Sequence, residues 1–295
     1  MTWPVWLLIA YFLIAITSLA DRIVVAKEID RPAAYSFLVA ALGSIVIFLA
    51  PFGFYILPLP ELSAAFLAGG ITVPALYYLY RALKHGQASA VFPFIGSIST
   101  IGIFVLSYFF LHERLNSIQI SGVVLLLIGS YIVSREVGRS KGVGKPGSAL
   151  LAGIFLAVTY TAAKYVYNGG EFIAGLIWIR LFAFLVATLI LLSPKNRRAL
   201  KALVKPSRGD ARGLILLGQG TSAIGFLILN YTISLVSVTI VSAAIGLQYV
   251  YILILGLILR KKYPKLLPGK LRGKVLGTRI VGIAVVIVGL ILVVS

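Results

Sequence analysis

The chain has 295 residues, of which 60% are hydrophobic and only 12% are charged, against about 45–50% and about 25% in a typical soluble domain. This composition excludes an ordinary soluble enzyme. The 27 basic and 8 acidic residues give a net charge of +19, which alone suggests nucleic acid or an anionic surface as partner. However, apolar stretches long enough to cross a bilayer of about 30 Å recur along the whole chain. The sequence therefore predicts a polytopic membrane protein.

The apolar stretches predict an all-α fold with ten transmembrane helices, because backbone groups in hydrocarbon must bond within their own segment. The alternating pattern of barrel strands is missing. The first span has no basic segment before it, so we expect a retained helix rather than a cleaved signal. Short loops are expected between the spans. The predicted spans are residues 3–25, 32–54, 62–83, 89–111, 118–134, 149–167, 172–192, 213–235, 239–259 and 276–294.

The second half of the chain resembles the first. SGVVLLLIGSYIVS (121–134) aligns without gaps with VGIAVVIVGLILVV (281–294), and GGITVPALYYLY (69–80) aligns with QGTSAIGFLILN (219–230). The first spans of the two halves match more weakly, at an offset of 143 residues. Because five is an odd number of spans, the second copy enters the membrane inverted, which is the plan of many secondary transporters.

The predicted organisation is therefore two inverted five-helix repeats, residues 1–134 and 148–295, joined by a basic loop over residues 135–147. The loops after the odd-numbered spans hold 24 of the 27 basic residues, including those that flank the spans. By the positive-inside rule these loops are cytoplasmic, and both termini lie outside. We expect a multi-pass protein of the cell membrane. The basic loops are expected to contact anionic lipid headgroups, and no nucleic acid is expected as a partner.

Charged residues inside predicted spans are the first candidates for function, since a charge at the bilayer centre needs a partner or a wet cavity. Asp21 and Lys164 occupy equivalent positions in the two repeats. One hypothesis is that Asp21 pairs with Lys164 or Arg22 beside a central cavity. The alternative is that Asp21 and Arg22 are interfacial and Lys164 extends to the headgroups. In the first case Asp21 is a proton-linked or counter-ion group, and Lys164 and Arg180 bind an anion or carboxylate.

Polar and aromatic side chains on several spans form a second set of candidates, because such groups converging between helices can bind a small organic solute. Each can also have a simpler role, since Tyr often lies at the membrane interface and Ser and Thr often pack helices. Spaced glycines on the last span of each repeat indicate close helix packing, and they also allow a homodimer. The expected substrate-binding residues of this set are Tyr77, Arg81, Ser97, Gln219, Asn230 and Gln248.

The sequence offers little for catalysis. The chain has no cysteine, and no metal, nucleotide or paired-carboxylate motif is visible. The two histidines, His85 and His112, lie in or beside predicted loops and are most simply interfacial. We therefore expect a protein that is not an enzyme and that carries no cofactor or metal.

The run from Ala82 to Val133 resembles the EamA domain of the drug/metabolite transporter superfamily. A repeat of that family ends with a span, a Gly-Glu-Arg-like turn and a final span with spaced glycines; here the turn is His112, Glu113, Arg114, Leu115. His112 stands where glycine is usual, and Arg180 resembles an arginine that the family carries early in the second span of a repeat. The resemblance implies ten helices in two repeats around a central cavity, formed by spans 1, 3, 4, 6, 8 and 9, that opens alternately to either side.

These features together predict a secondary-active transporter that moves a small organic metabolite by alternating access, as an exporter or an exchanger. A lipid-carrier flippase of the same architecture is an alternative, favoured by an apolar lateral opening. A membrane scaffold without transport activity is another, favoured by a closed and dry helix interface. A membrane enzyme ranks third.

Overall fold

The computed structural model describes residues 2–28, 31–86, 88–135, 143–204, 209–259 and 273–294. This part of the chain is almost entirely helical. Its helices are α1 (Trp3–Glu28), α2 (Pro32–Gly43), α3 (Leu59–His85), α4 (Ala88–Leu106), α5 (Ser117–Arg135), α6 (Pro146–Gly169), α7 (Phe172–Thr188), α8 (Pro194–Val204), α9 (Gly209–Leu235), α10 (Val238–Ala243), α11 (Gly246–Leu259) and α12 (Gly273–Val294). Helices α2 and α7 continue as 3-10 helices over Ser44–Phe52 and Leu189–Leu192, and α4 continues as a π-helix over Ser107–Leu111.

Eight helical segments of the described chain are long and apolar enough to cross a membrane. Two further apolar stretches, Ser117–Ile132 in α5 and Ile280–Val294 in α12, are shorter. The predicted all-helical membrane fold is confirmed, while the number of ten spans in two inverted repeats stays a prediction. The predicted span 239–259 consists of two helices, α10 and α11, with a turn between them.

The segment after α7, expected to be a longer loop, contains a helix, α8. A proline begins this helix, a position at which its fixed φ angle is favourable. The side chains of Lys195, Arg198 and Lys201 are exposed, and Leu200 is half-buried. Helix α8 thus combines apolar and basic residues at helical spacing, as helices at a membrane surface do.

The spaced glycines of α5 and α12 face each other within the chain. A Cβ atom added to Gly122 would lie 2.9 Å from the carbonyl oxygen of Gly289, and one added to Gly129 would lie 3.0 Å from the carbonyl oxygen of Gly282. Any larger residue would therefore push the two backbones apart. The predicted close packing is confirmed, and it joins the last helix of one predicted repeat to the last helix of the other.

The remaining packing is also paired between the two halves. Helix α3 packs along α6 and α1 packs along α9; α6 further contacts α4, and α1 contacts α11. If each helix is replaced by its counterpart in the other half, the contact of α3 with α6 becomes that of α9 with α1. The contact of α4 with α6 becomes that of α11 with α1. Buried apolar side chains from both halves, Leu7, Ile103, Val166 and Val286 among them, form one continuous core.

One pair of equivalent contacts is not alike. Helix α3 packs tightly on α7, where a Cβ atom at Gly69 would lie 2.8 Å from the backbone nitrogen of Ala183. The corresponding contact between α9 and α2 is slight. Gly220, which the sequence alignment pairs with Gly70, has open space where a Cβ atom would be. The bundle is therefore closed between α3 and α7 and looser between α2 and α9.

Candidate functional site

The carboxyl group of Asp21 lies in a buried polar cluster formed by three helices. The Tyr35 hydroxyl of α2 donates a hydrogen bond to Asp21 Oδ1 over 2.6 Å, and Gln219 Nε2 of α9 donates to the Tyr35 hydroxyl over 3.0 Å. The ring of Tyr80 from α3 meets the Tyr35 ring edge to face at 4.7 Å. Asp21 is 8% exposed and Tyr35 is fully buried. We call Asp21, Tyr35 and Gln219 the Asp21 cluster.

Polar side chains continue along α1 from this cluster toward its N-terminus. Thr17 bonds the Thr221 hydroxyl over 3.1 Å and donates to the carbonyl of Gly218 over 3.2 Å. Ser18 accepts a hydrogen bond from Gln248 Nε2 over 2.8 Å, and both side chains are buried. Helices α1, α9 and α11 thus contribute to one hydrogen-bonded region, which contains two of the predicted site residues, Gln219 and Gln248.

The ammonium group of Lys164 lies at the other end of α9. It donates to the carbonyl oxygens of Ile233 and Ser234 over 2.9 and 3.4 Å. These carbonyls belong to the last turn of α9, which lacks intrahelical partners and carries a partial negative charge. Glu113 is close enough to interact electrostatically with Lys164. We call Lys164, Glu113, Asn230 and Tyr167 the Lys164 cluster.

The predicted ion pair between Asp21 and Lys164 is wrong. Along α9 the residue bound to the Asp21 cluster, Gln219, precedes the Lys164 acceptor Ile233 by 14 positions, which is about 21 Å of helix. The alternative pair of Asp21 with Arg22 lies outside the side chains that the structure describes.

Glu113 holds the start of α10. Its carboxylate accepts hydrogen bonds from the Ser237 hydroxyl over 2.6 Å, the Val238 backbone N–H over 3.2 Å and the Thr239 hydroxyl over 3.4 Å. Carboxylates commonly satisfy the free N–H groups of a helix start in this way. Because Lys164 holds the end of α9, the two charged side chains together fix the junction between α9 and α10.

The turn that carries Glu113 also explains the glycine expected in this motif. His112 has a left-handed backbone with φ of 55°, a conformation that favours glycine. Arg114 lies over the ring of Tyr108, with its guanidinium carbon 3.7 Å from the ring centre. The described geometry gives Glu113 and Arg114 packing and capping contacts within the chain.

Arg180 lies between these two regions, in the interior of α7. Its side chain reaches toward Gly43 of α2, and its charge acts on the hydroxyl groups of Tyr160 and Tyr167 of α6. The Tyr167 hydroxyl donates to Asn230 Oδ1 over 3.0 Å. The predicted site residue Asn230 is therefore bonded to Tyr167 of α6.

Three predicted site residues lie apart from these contacts. Tyr77 is half-buried and packs edge to face on Tyr78, and Arg81 follows one turn later on α3. Ser97 shares a face of α4 with Ile101 and Phe104, both of which are exposed. Ser97 itself is half-buried. Within the described residues, Ser97 makes no hydrogen bond to the other members of the predicted set.

Sequence reasoning missed several residues of these clusters. Tyr35 and Tyr167 complete the hydrogen bonds of Asp21 and Asn230, but a tyrosine in an apolar span gives no signal that separates this role from packing. Glu113 could have been found from the sequence, because it belongs to the turn over residues 112–115. Among the described residues, no group of three or more His, Asp or Glu side chains lies close enough together to hold a metal ion.

The helices and these polar interior groups define a multi-pass membrane protein of a kind found among transporters. Residues 1–135 match the family model of the EamA-like transporter family, which confirms the resemblance seen in the sequence. No curated protein matches the chain by sequence. The crystal structure of one protein is similar with a TM-score of 0.68 and 16% identity, over 98% of this chain and 97% of that one. At that identity the likeness shows the fold alone.

Proposed function

We propose that the chain is a secondary-active transporter that moves a small organic metabolite by alternating access, as an exporter or exchanger. The proposal counts the eight long apolar helices and the two shorter ones as ten spans. The paired packing of α3 with α6 and α1 with α9 supports two inverted five-helix repeats. In this arrangement the basic segments face the cytoplasm of the cell and both termini lie outside.

The observation that carries the proposal is a series of polar groups through the inside of an apolar bundle. The Asp21 cluster and the Lys164 cluster are about 21 Å apart along α9, and Arg180 lies between them. Buried polar groups are costly in a membrane protein and are usually retained for function. A scaffold without transport would more simply have a dry and apolar helix interface.

The unequal packing of the two halves supports alternating access. Gly69 closes α3 onto α7, while its counterpart interface between α9 and α2 is loose around Gly220. In an inverted-repeat transporter, exchanging two such interfaces opens the interior to the other side. The structure then represents one of two states, and the second is reached when α9 closes onto α2.

In this proposal the clusters have different tasks. Asp21 is the only charged member of its cluster and binds a proton or a cation during the cycle. Lys164 holds the α9–α10 junction through the carbonyls of Ile233 and Ser234, so its movement accompanies opening at that end. The solute is expected to bind between the two clusters.

Counterflow in sealed proteoliposomes tests the proposal. Vesicles with purified full-length protein are loaded with a mixture of metabolites, and uptake of trace labelled members is followed without ATP. We expect at least one solute to accumulate transiently, and Asp21→Asn to reduce its exchange or change its dependence on pH. Glu171→Gln, which removes an exposed acid, is the matched control. Absence of counterflow for every solute would contradict a transport function.

A further inference from the structure

Arg180 is a charged residue in the middle of a membrane-length helix. It lies eight positions after Phe172, the first residue of α7, which is about 12 Å along the axis of a span of about 30 Å. Its side chain is half-buried. Within the described part of the chain, the guanidinium has no hydrogen bond and no ion pair.

The acids that the structure describes do not neutralise this charge. Asp21 is bound by Tyr35, Glu113 is bound at the start of α10, and Glu171 is exposed before α7. Glu61 contacts Gly169 at the end of α6, and one of its carboxylate oxygens is buried without a partner. A guanidinium has five N–H donors in a fork that suits a carboxylate or phosphate, and at Arg180 this fork is free of protein acceptors.

Hydroxyl groups that also lack partners accompany the guanidinium. The Tyr160 hydroxyl, on which the charge of Arg180 acts, makes no hydrogen bond in the described part of the chain. Its neighbours Thr159 and Thr161 have buried hydroxyls without a partner, and both residues are more than nine-tenths buried. Ser and Thr in helices usually bond a carbonyl of the preceding turn. The middle of α6 is thus rich in hydroxyl groups that have no partner in the described part of the chain.

Other basic residues of the bundle differ from Arg180. Lys164 already donates to two carbonyls and lies near Glu113. An isolated charge in a membrane interior is costly, so an unpaired arginine there requires water or an external anion. The free guanidinium, half-buried in the middle of α7, makes a site for an anionic group.

We infer that Arg180, together with Tyr160, binds the anionic group of the transported solute, and that this solute is a small organic acid carrying a carboxylate or phosphate. The inference rests on the proposed transport function and adds the chemical class of the solute. Arg180 supplies a bidentate contact to the anion, and the Tyr160 hydroxyl supplies a further donor. Lys164 stays with α9 and does not contact the solute in this state.

Two measurements on the full-length protein test this inference. The first is counterflow with matched panels: organic acids, the primary amides of the same acids, the amines of the same carbon skeleton, and phosphate monoesters. The second is the thermal shift that each panel member causes in nanodiscs. Variants Arg180→Gln and Arg180→Lys are compared with Arg198→Gln, which removes an exposed charge from α8.

We expect acids or phosphate monoesters to be exchanged and to stabilise the protein, and the amides and amines not to do so. Arg180→Gln should weaken both effects about tenfold or more, the loss expected for one charged hydrogen bond, while Arg180→Lys retains part of them. Exchange of amides or amines alone, or equal binding of acids by Arg180→Gln, would overturn the inference and leave transport intact. A complete lack of counterflow refutes the proposed function, and the thermal shifts then still decide whether Arg180 binds anions.

Discussion

Replacing Lys164 by methionine tests the assignment of this side chain to the end of α9. Methionine has a similar length and no charge, so it removes the donor and keeps most of the volume. The variant loses hydrogen bonds of 2.9 and 3.4 Å to the carbonyls of Ile233 and Ser234. Leaving buried carbonyls without a donor costs about 1–3 kcal/mol. Removing the desolvated ammonium returns part of this cost, so we expect a net loss of about 2 kcal/mol.

A loss of that size is readily measured. For domains of 150–250 residues, 1 kcal/mol corresponds to about 2–4 °C in Tm, so Lys164→Met should melt about 4–8 °C lower. Tryptophan fluorescence during heating in nanodiscs gives the Tm, and Lys195→Met, on the exposed face of α8, is the control. A Tm that is unchanged or higher would refute the described bonding of Lys164. A double-mutant cycle with Glu113→Gln then measures the coupling of the two charges.

Three further predictions concern the backbone and the Asp21 cluster. His112→Gly should raise the Tm by about 1–3 °C, because it relieves a left-handed backbone conformation that costs about 1–2 kcal/mol. The greater conformational entropy of glycine in the unfolded chain cancels about half of this gain in stability. A lower Tm would contradict backbone strain at His112. Gly69→Ala should lower the free energy of unfolding by about 1–3 kcal/mol through overpacking against α7. Gly220→Ala should be neutral or slightly stabilising. Equal chemical-denaturation midpoints for the two variants would contradict the difference in packing between the two interfaces. Tyr35→Phe should change the pH profile of solute exchange in the same direction as Asp21→Asn, because both variants alter the hydrogen bond between Tyr35 and Asp21. Opposite changes, or no change in one variant, would contradict a shared role of the two residues.

Much of the fold is predictable from the sequence because a bilayer imposes simple rules. The length of an apolar stretch and the need to satisfy backbone groups predict helices, and the predicted spans overlap the observed ones. The glycines at Gly122 and Gly129 predict a close helix contact, which the structure provides against Gly282 and Gly289. Helix α8 was missed because a short basic segment resembles a solvated loop until the regular spacing of its apolar residues is considered.

The candidate site is less predictable because its contacts join helices distant in sequence. Opposite charges at aligned positions suggested that Asp21 pairs with Lys164, but Gln219 of the Asp21 cluster and the Lys164 acceptor Ile233 lie 14 positions apart along α9. The partner of Asp21 is Tyr35, which nothing in the sequence distinguishes from a packing tyrosine. Ser97, half-buried on α4, stays a predicted site residue.

The measurement that tests alternating access most directly uses the absence of cysteine from the native chain. One variant carries a single cysteine at position 160 in place of Tyr160, and a second variant carries only Lys195→Cys. Proteoliposomes of known orientation are exposed to a membrane-impermeant maleimide from either side, and labelling of the second variant identifies the side on which α8 lies. We expect the cysteine at position 160 to be labelled from both sides, with rates that solute shifts in opposite directions. Labelling from neither side, or from one side only under all conditions, would contradict an interior that opens alternately across the membrane.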